Sequence, residues 1–100
     1  MTRDRWNEVY MKKGEEIGAE GETLLVALDG ERTYALSPAA YLVWSLCDGK
    51  TSVGDIVERI MQSLEGDVDE EWIYQAVITI IDRLAEVDLI EKIGSRNEPL

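Results

Sequence analysis

One hundred residues, 45% hydrophobic and 31% charged, describe one ordinary globular domain with a modest core. A formal net charge of −11 argues against sequence-independent nucleic-acid binding and disfavours adhesion to anionic lipid, and leaves basic peptides or a basic protein surface as the compatible partners. The chain has no histidine and one cysteine, Cys47, so the commonest general base, the commonest metal ligand and an internal disulfide are all missing.

Met1 to Tyr10 is polar, without the apolar run of a signal peptide, and the longest apolar stretch, Ala39 to Trp44, is far too short to cross a bilayer. The expected location is the cytoplasm. Residues 1–14 show no periodic pattern and are read as an N-terminal extension, with Trp6, Val9, Tyr10 and Met11 on the surface or against a partner. A domain is predicted over 15–93, followed by a frayed polar tail over 94–100.

Glu15 to Ala19 predicts a short first strand around Ile17. Thr23 to Leu28 predicts a second strand, apolar on both faces and therefore placed between two neighbours. Asp29-Gly30 reads as a two-residue type I′ turn, because Gly reaches positive φ without steric cost. Arg32 to Leu36 then alternates as a third strand, with Tyr34 and Leu36 on one face. Ser37-Pro38 pairs an N-cap oxygen with a proline at the first helical position. The helix that follows is apolar nearly all round as far as Cys47, so it should stand at the centre of the domain.

Asp48-Gly49 reads as the stop of that helix. Ser52 and Asp55 form a shortened capping box, and Val53, Ile56, Val57, Ile60, Met61 and Leu64 give a one-sided helix ending at Gly66. Asp69 caps a third helix running to about Val87, with Glu70 and Glu71 at its positive end and Asp88 in a left-handed exit. Leu89 to Ile93 predicts a short closing strand. The expected fold class is α+β: a three-stranded antiparallel sheet followed by three helices, winged helix-turn-helix-like.

The third helix is apolar over a wider arc than one core needs. Ile73, Val77, Ile80, Ile81, Leu84 and Val87 make one stripe, and Tyr74, Ile78 and Ala85 extend it along a flank. Either the sheet covers that flank, or a part-open groove lies between the third helix and the third strand. Such a groove beside an edge strand suits an extended peptide that adds itself as a further strand. The expected contact residues are Arg32, Thr33, Tyr34, Ala35 and Leu36 from the strand, and Tyr74, Ile78, Ile81 and Ala85 from the helix. Proline at Tyr34 and glutamate at Ile78 are the substitutions expected to weaken binding.

Tyr34-x-Leu36-Ser37, Ala40, Trp44-x-Leu46, Asp48-Gly49, Ser52, Asp55-Ile56, Leu84 and Leu89-Ile90 together resemble the PqqD-like family, named for pyrroloquinoline quinone synthesis protein D and also called the RiPP recognition element. The resemblance implies a winged-helix domain that binds the leader segment of a ribosomally made precursor along its third strand and third helix. It further implies presentation of that precursor to a modifying enzyme, often a radical S-adenosylmethionine enzyme.

DNA binding is the rival use of such a fold, but between Asp69 and Asp88 the only basic residue is Arg83, against Glu70, Glu71, Asp82 and Glu86. Asp67, Asp69, Glu70 and Glu71 are explained by a helix start and lack the glycine and distant glutamate of a calcium loop. Cys47 lies on the apolar helix with no histidine to activate it, and Trp44 and Trp72 read as packing residues. No catalytic constellation, metal site or cofactor is expected. The reading is a non-catalytic peptide-binding adaptor; the alternative is a protein-interaction or homodimerisation module pairing the same edge across a two-fold axis.

Overall fold

A computed structural model describes residues 4–95. In chain order these form β1 (Glu8–Lys12), β2 (Glu15–Glu20), β3 (Thr23–Ala27), β4 (Thr33–Leu36), α1 (Pro38–Leu46), β5 (Asp48–Ser52), α2 (Val53–Ser63), α3 (Glu70–Glu86) and β6 (Ile90–Ser95). The class is α+β, but the strands divide between two antiparallel sheets, β2-β3-β4 and β5-β1-β6, rather than the single three-stranded sheet expected.

The second sheet is the main departure from the sequence reading. Its central strand, β1, lies in the stretch read as an extension, and Val9 and Tyr10 are core residues rather than surface ones. A regular strand sends successive side chains to opposite faces. Here the ladder to β6 shifts register between Val9 and Tyr10 and both side chains are buried, so no period-2 signal exists to be read. β5 is equally silent: Asp48-Gly49 ends α1 as expected, then continues directly into a strand of polar residues. Asp48 holds its first turn by accepting from the Lys50 and Thr51 amides at 2.9 and 2.8 Å. The tail read from Gly94 onward is strand through Ser95, and its remainder lies outside the described residues.

The helices follow their caps. Ser37 Oγ accepts from the Ala40 amide at 3.2 Å with Pro38 opening α1. Ser52 and Asp55 exchange both capping bonds, at 3.1 and 3.2 Å. Asp69 accepts from the Glu71 amide at 2.9 Å, and Asp88 leaves α3 with φ 65°. α1 stands in the core as expected: Val43, Trp44 and Cys47 are buried, and the Trp44 indole N–H donates to both Lys13 O and Leu89 O at 3.1 Å. That one side chain ties the β1–β2 link to the end of α3. α2 ends earlier than predicted, at Ser63.

The N-terminal segment is fastened by two devices. The Trp6 indole lies against Gly54 so closely that a Cβ there would overlap the ring, and the Gly54 amide donates to Trp6 O at 2.8 Å. Beside it, Arg5 donates to Glu8 at 2.8 Å and to the Tyr10 hydroxyl at 2.9 Å, and pairs with Asp82 of α3 at 2.8 Å. Tyr10 and Lys92 also reach Glu8, at 2.8 and 3.3 Å.

Burial alone would raise the Glu8 pKa, but hydrogen bonds from Arg5 and Tyr10 outweigh it and hold the carboxyl below its ordinary value of 4.5. A depressed folded pKa stabilises the fold above the unfolded value, and that stabilisation is lost as pH falls through the folded one. Glu8→Gln is therefore expected to cost about 1–3 kcal/mol at neutral pH. The difference from wild type should shrink as urea melts are repeated progressively below pH 4.5.

Candidate functional site

The hairpin from β3 to β4 decides which backbone groups face outward. Leu24 pairs with Leu36, Leu25 with Ala35, Val26 with Tyr34 and Ala27 with Thr33. The Leu28 amide donates to Arg32 O at 2.8 Å, so Leu28 and Arg32 are a hydrogen-bonded pair. Such pairs alternate along an antiparallel ladder. Tyr34 and Leu36 therefore point their N–H and C=O at β3, while Thr33 and Ala35 point theirs to the far side of β4.

That far side is open, since β4 pairs with β3 alone among the described residues. The turn differs from the expected one: Gly30 does not take positive φ, and the loop spans three residues. Asp29 Oδ1 closes it by accepting from the Glu31 and Arg32 amides, both at 2.9 Å. Those backbone bonds, with the Arg32 guanidinium, hold the Asp29 carboxyl below its ordinary pKa.

Beyond the open edge lies an apolar groove of about 340 Å³. One wall is Tyr34, Ala35, Leu36 and Ser37, continued by Ala40 of α1; the other is Ile80, Arg83, Leu84 and Val87 of α3, with Leu89 at the end. Arg83 is its one charged lining residue among those described. Arg32, at the mouth of β4, is engaged by Asp29 at 2.9 Å and by Asp88 at 3.7 Å. An extended segment laid here would meet a free ladder on one side and aliphatic side chains on the other.

The predicted strand residues Thr33, Tyr34, Ala35 and Leu36 make up β4, with Arg32 just before it. The helical residues fall elsewhere. Tyr74 and Ile81 are buried in the core, Ile78 is half-buried against it, and Ala85 is exposed but does not line the groove. The groove row of Ile80, Arg83, Leu84 and Val87 is turned from that flank by roughly 140° at 100° per residue.

The Tyr74 end of the flank is covered from a source the sequence did not reveal. Trp6 packs on Tyr74 with ring centroids 5.9 Å apart, and the Arg5 amide donates to the Tyr74 hydroxyl at 3.3 Å. The signal for the true wall was present in the main stripe: Ile80 and Val87 belong to it, yet neither is fully buried.

The family model for coenzyme PQQ synthesis protein D (PqqD) matches residues 22–90. The chain belongs to the PqqD family. The matched stretch takes in β3, β4, all three helices and therefore both walls of the groove, while β1 and β2 lie outside it. The resemblance read from Tyr34 through Ile90 falls inside the same stretch. No match is found among curated proteins or among solved structures.

Among the described residues of this PqqD-family chain, the groove lining does not combine a nucleophile with a base. Cys47 is fully buried, its Sγ bonded to Val43 O at 3.2 Å, and burial pushes its pKa up to about 12. A thiol so held is a packing group, not a nucleophile. No helix is long and apolar enough to cross a membrane among the described residues, and none of their His, Cys, Asp and Glu side chains cluster as a metal site would need.

Proposed function

We propose that this chain is a non-catalytic accessory protein that binds the leader segment of a ribosomally synthesised precursor and presents it to a modifying enzyme, of the radical S-adenosylmethionine type. The leader adds as a strand to β4, in a domain of winged-helix type, and the work is done where the enzyme acts rather than here. The observation that carries this reading is the outward-facing backbone of Thr33 and Ala35 opposite the apolar wall of α3. Family membership supports it, because the matched residues include both walls.

The energies are adequate. Four outward N–H and C=O groups contribute roughly 0.5–1.5 kcal/mol each when paired, and one or two buried aliphatic anchors add roughly 1.5–3 kcal/mol each. After the costs of ordering a flexible chain, micromolar affinity, which needs about 8 kcal/mol net, is the upper end of what these contributions reach. DNA is a poor competitor, since α3 carries Glu70, Glu71, Asp82 and Glu86 against Arg83.

The experiment is selection of extended peptides from a phage-displayed library, followed by calorimetric titration and sedimentation of the free chain. One-to-one binding to a monomer is expected. Failure to select any extended peptide, together with a dimer that forms through β4, would favour the self-pairing alternative.

A further inference from the structure

A second apolar surface lies where α1, α2 and α3 meet. Trp72, read from sequence as a packing residue, is 65% exposed, and Leu42 and Leu64 beside it are 41% and 42% exposed. With Ile60, Ala76 and Ile80, the last also a wall residue of the β4 groove, they line a depression of about 250 Å³. An indole left this open contributes little to the fold, yet tryptophan is the residue most enriched among side chains that dominate protein contacts. A contiguous apolar patch of this kind marks an interaction surface.

We propose that this face docks a basic amphipathic helix of a partner protein, independently of the β4 edge. Two observations select that occupant. The walls are all helices, whose backbone groups are satisfied internally, so this face has no free ladder to lend. A segment bound here must satisfy its own backbone, and a helix does so while lowering i and i+4 apolar anchors into the depression.

The charge selects the rest. The loop between α2 and α3, residues 64–69, carries Glu65, Asp67 and Asp69, all exposed, at one end of the face. Cations beside the partner's anchors meet them there. A second copy of this chain is the poorer occupant, because each brings a net charge of −11 to the contact.

The probe is a synthetic Leu/Lys amphipathic helix of about five turns, added to the 100-residue chain and followed by amide shifts, with a Leu/Glu helix as control. The Leu/Lys helix should move the Leu42, Leu64, Trp72 and Ala76 resonances and weaken with added salt. Trp72→Ser should lower its affinity by roughly tenfold or more. The melting temperature and the binding of a selected β4 peptide should stay unchanged, which separates this surface from the proposed function. The proposal is overturned if shifts scatter over the acidic surface without centring on Trp72, if Trp72→Ser binds equally, or if the Leu/Glu helix binds as well. It is also overturned if the same resonances move with chain concentration alone, which would place a second copy on the face.

Discussion

Ala35→Pro is expected to weaken binding of a selected extended peptide by about tenfold while leaving the melting temperature within a few degrees of wild type. The substitution removes an outward N–H and places the ring on the open side of an edge strand, where proline is tolerated. The loss of one interchain hydrogen bond and the steric obstruction of its neighbour together amount to about 1.4 kcal/mol, which is the stated factor.

Tyr34→Pro should behave in the opposite way. Its amide faces β3 opposite Val26, so proline there breaks the internal ladder and leaves a buried carbonyl short of a partner, at about 1–3 kcal/mol of stability. Circular dichroism melts beside titration of both variants separate the two effects. Equal affinities for Ala35→Pro and wild type would remove strand addition from the account.

Gly54→Val should destabilise the fold through the contact of α2 with Trp6. Glycine stands there because the Trp6 ring occupies the place of a side chain, not because of its backbone angle. A β-branched residue must expel the indole or push α2 away from β1, an overpacking cost of about 1–3 kcal/mol. In a domain of this size that lowers the melting temperature by roughly 4–8 °C per kcal/mol. The double variant with Trp6→Ala isolates the cause: once the ring is gone, Gly54→Val should cost under about 0.5 kcal/mol, since the remaining change falls on a helical position with little left to clash. A full cost in both backgrounds would show that Gly54 is needed for some other reason.

What was legible in the sequence was local. Ser37-Pro38, Ser52 with Asp55, and Asp69 each announce a helix by chemistry complete within four residues, and all three helices start where these caps place them. β1 and β5 were not legible, because their stability comes from each other and from β6 across the chain. Val9-Tyr10 without alternation, and a polar strand from Asp48 to Ser52, carry no period of their own.

The groove shows the same division. β4 and its open side could be anticipated from alternation, but the phase of its ladder depends on loop length. A two-residue turn at Asp29-Gly30 would pair Leu28 with Glu31 and face the amide of Tyr34 outward. The observed pairing of Leu28 with Arg32 moves that role to Thr33 and Ala35. Likewise the helical wall could be placed only after Trp6 and Arg5 were seen to cover the Tyr74 flank, leaving the Ile80–Val87 face to β4.

Amide hydrogen exchange at β4, with and without a library-selected peptide, tests strand addition most directly. In the free chain the amides of Thr33 and Ala35 should exchange fast and those of Tyr34 and Leu36 slowly; saturating peptide should protect Thr33 and Ala35 and change the other two little. A peptide that binds with affinity intact while Thr33 and Ala35 go on exchanging as in the free chain would contradict the account.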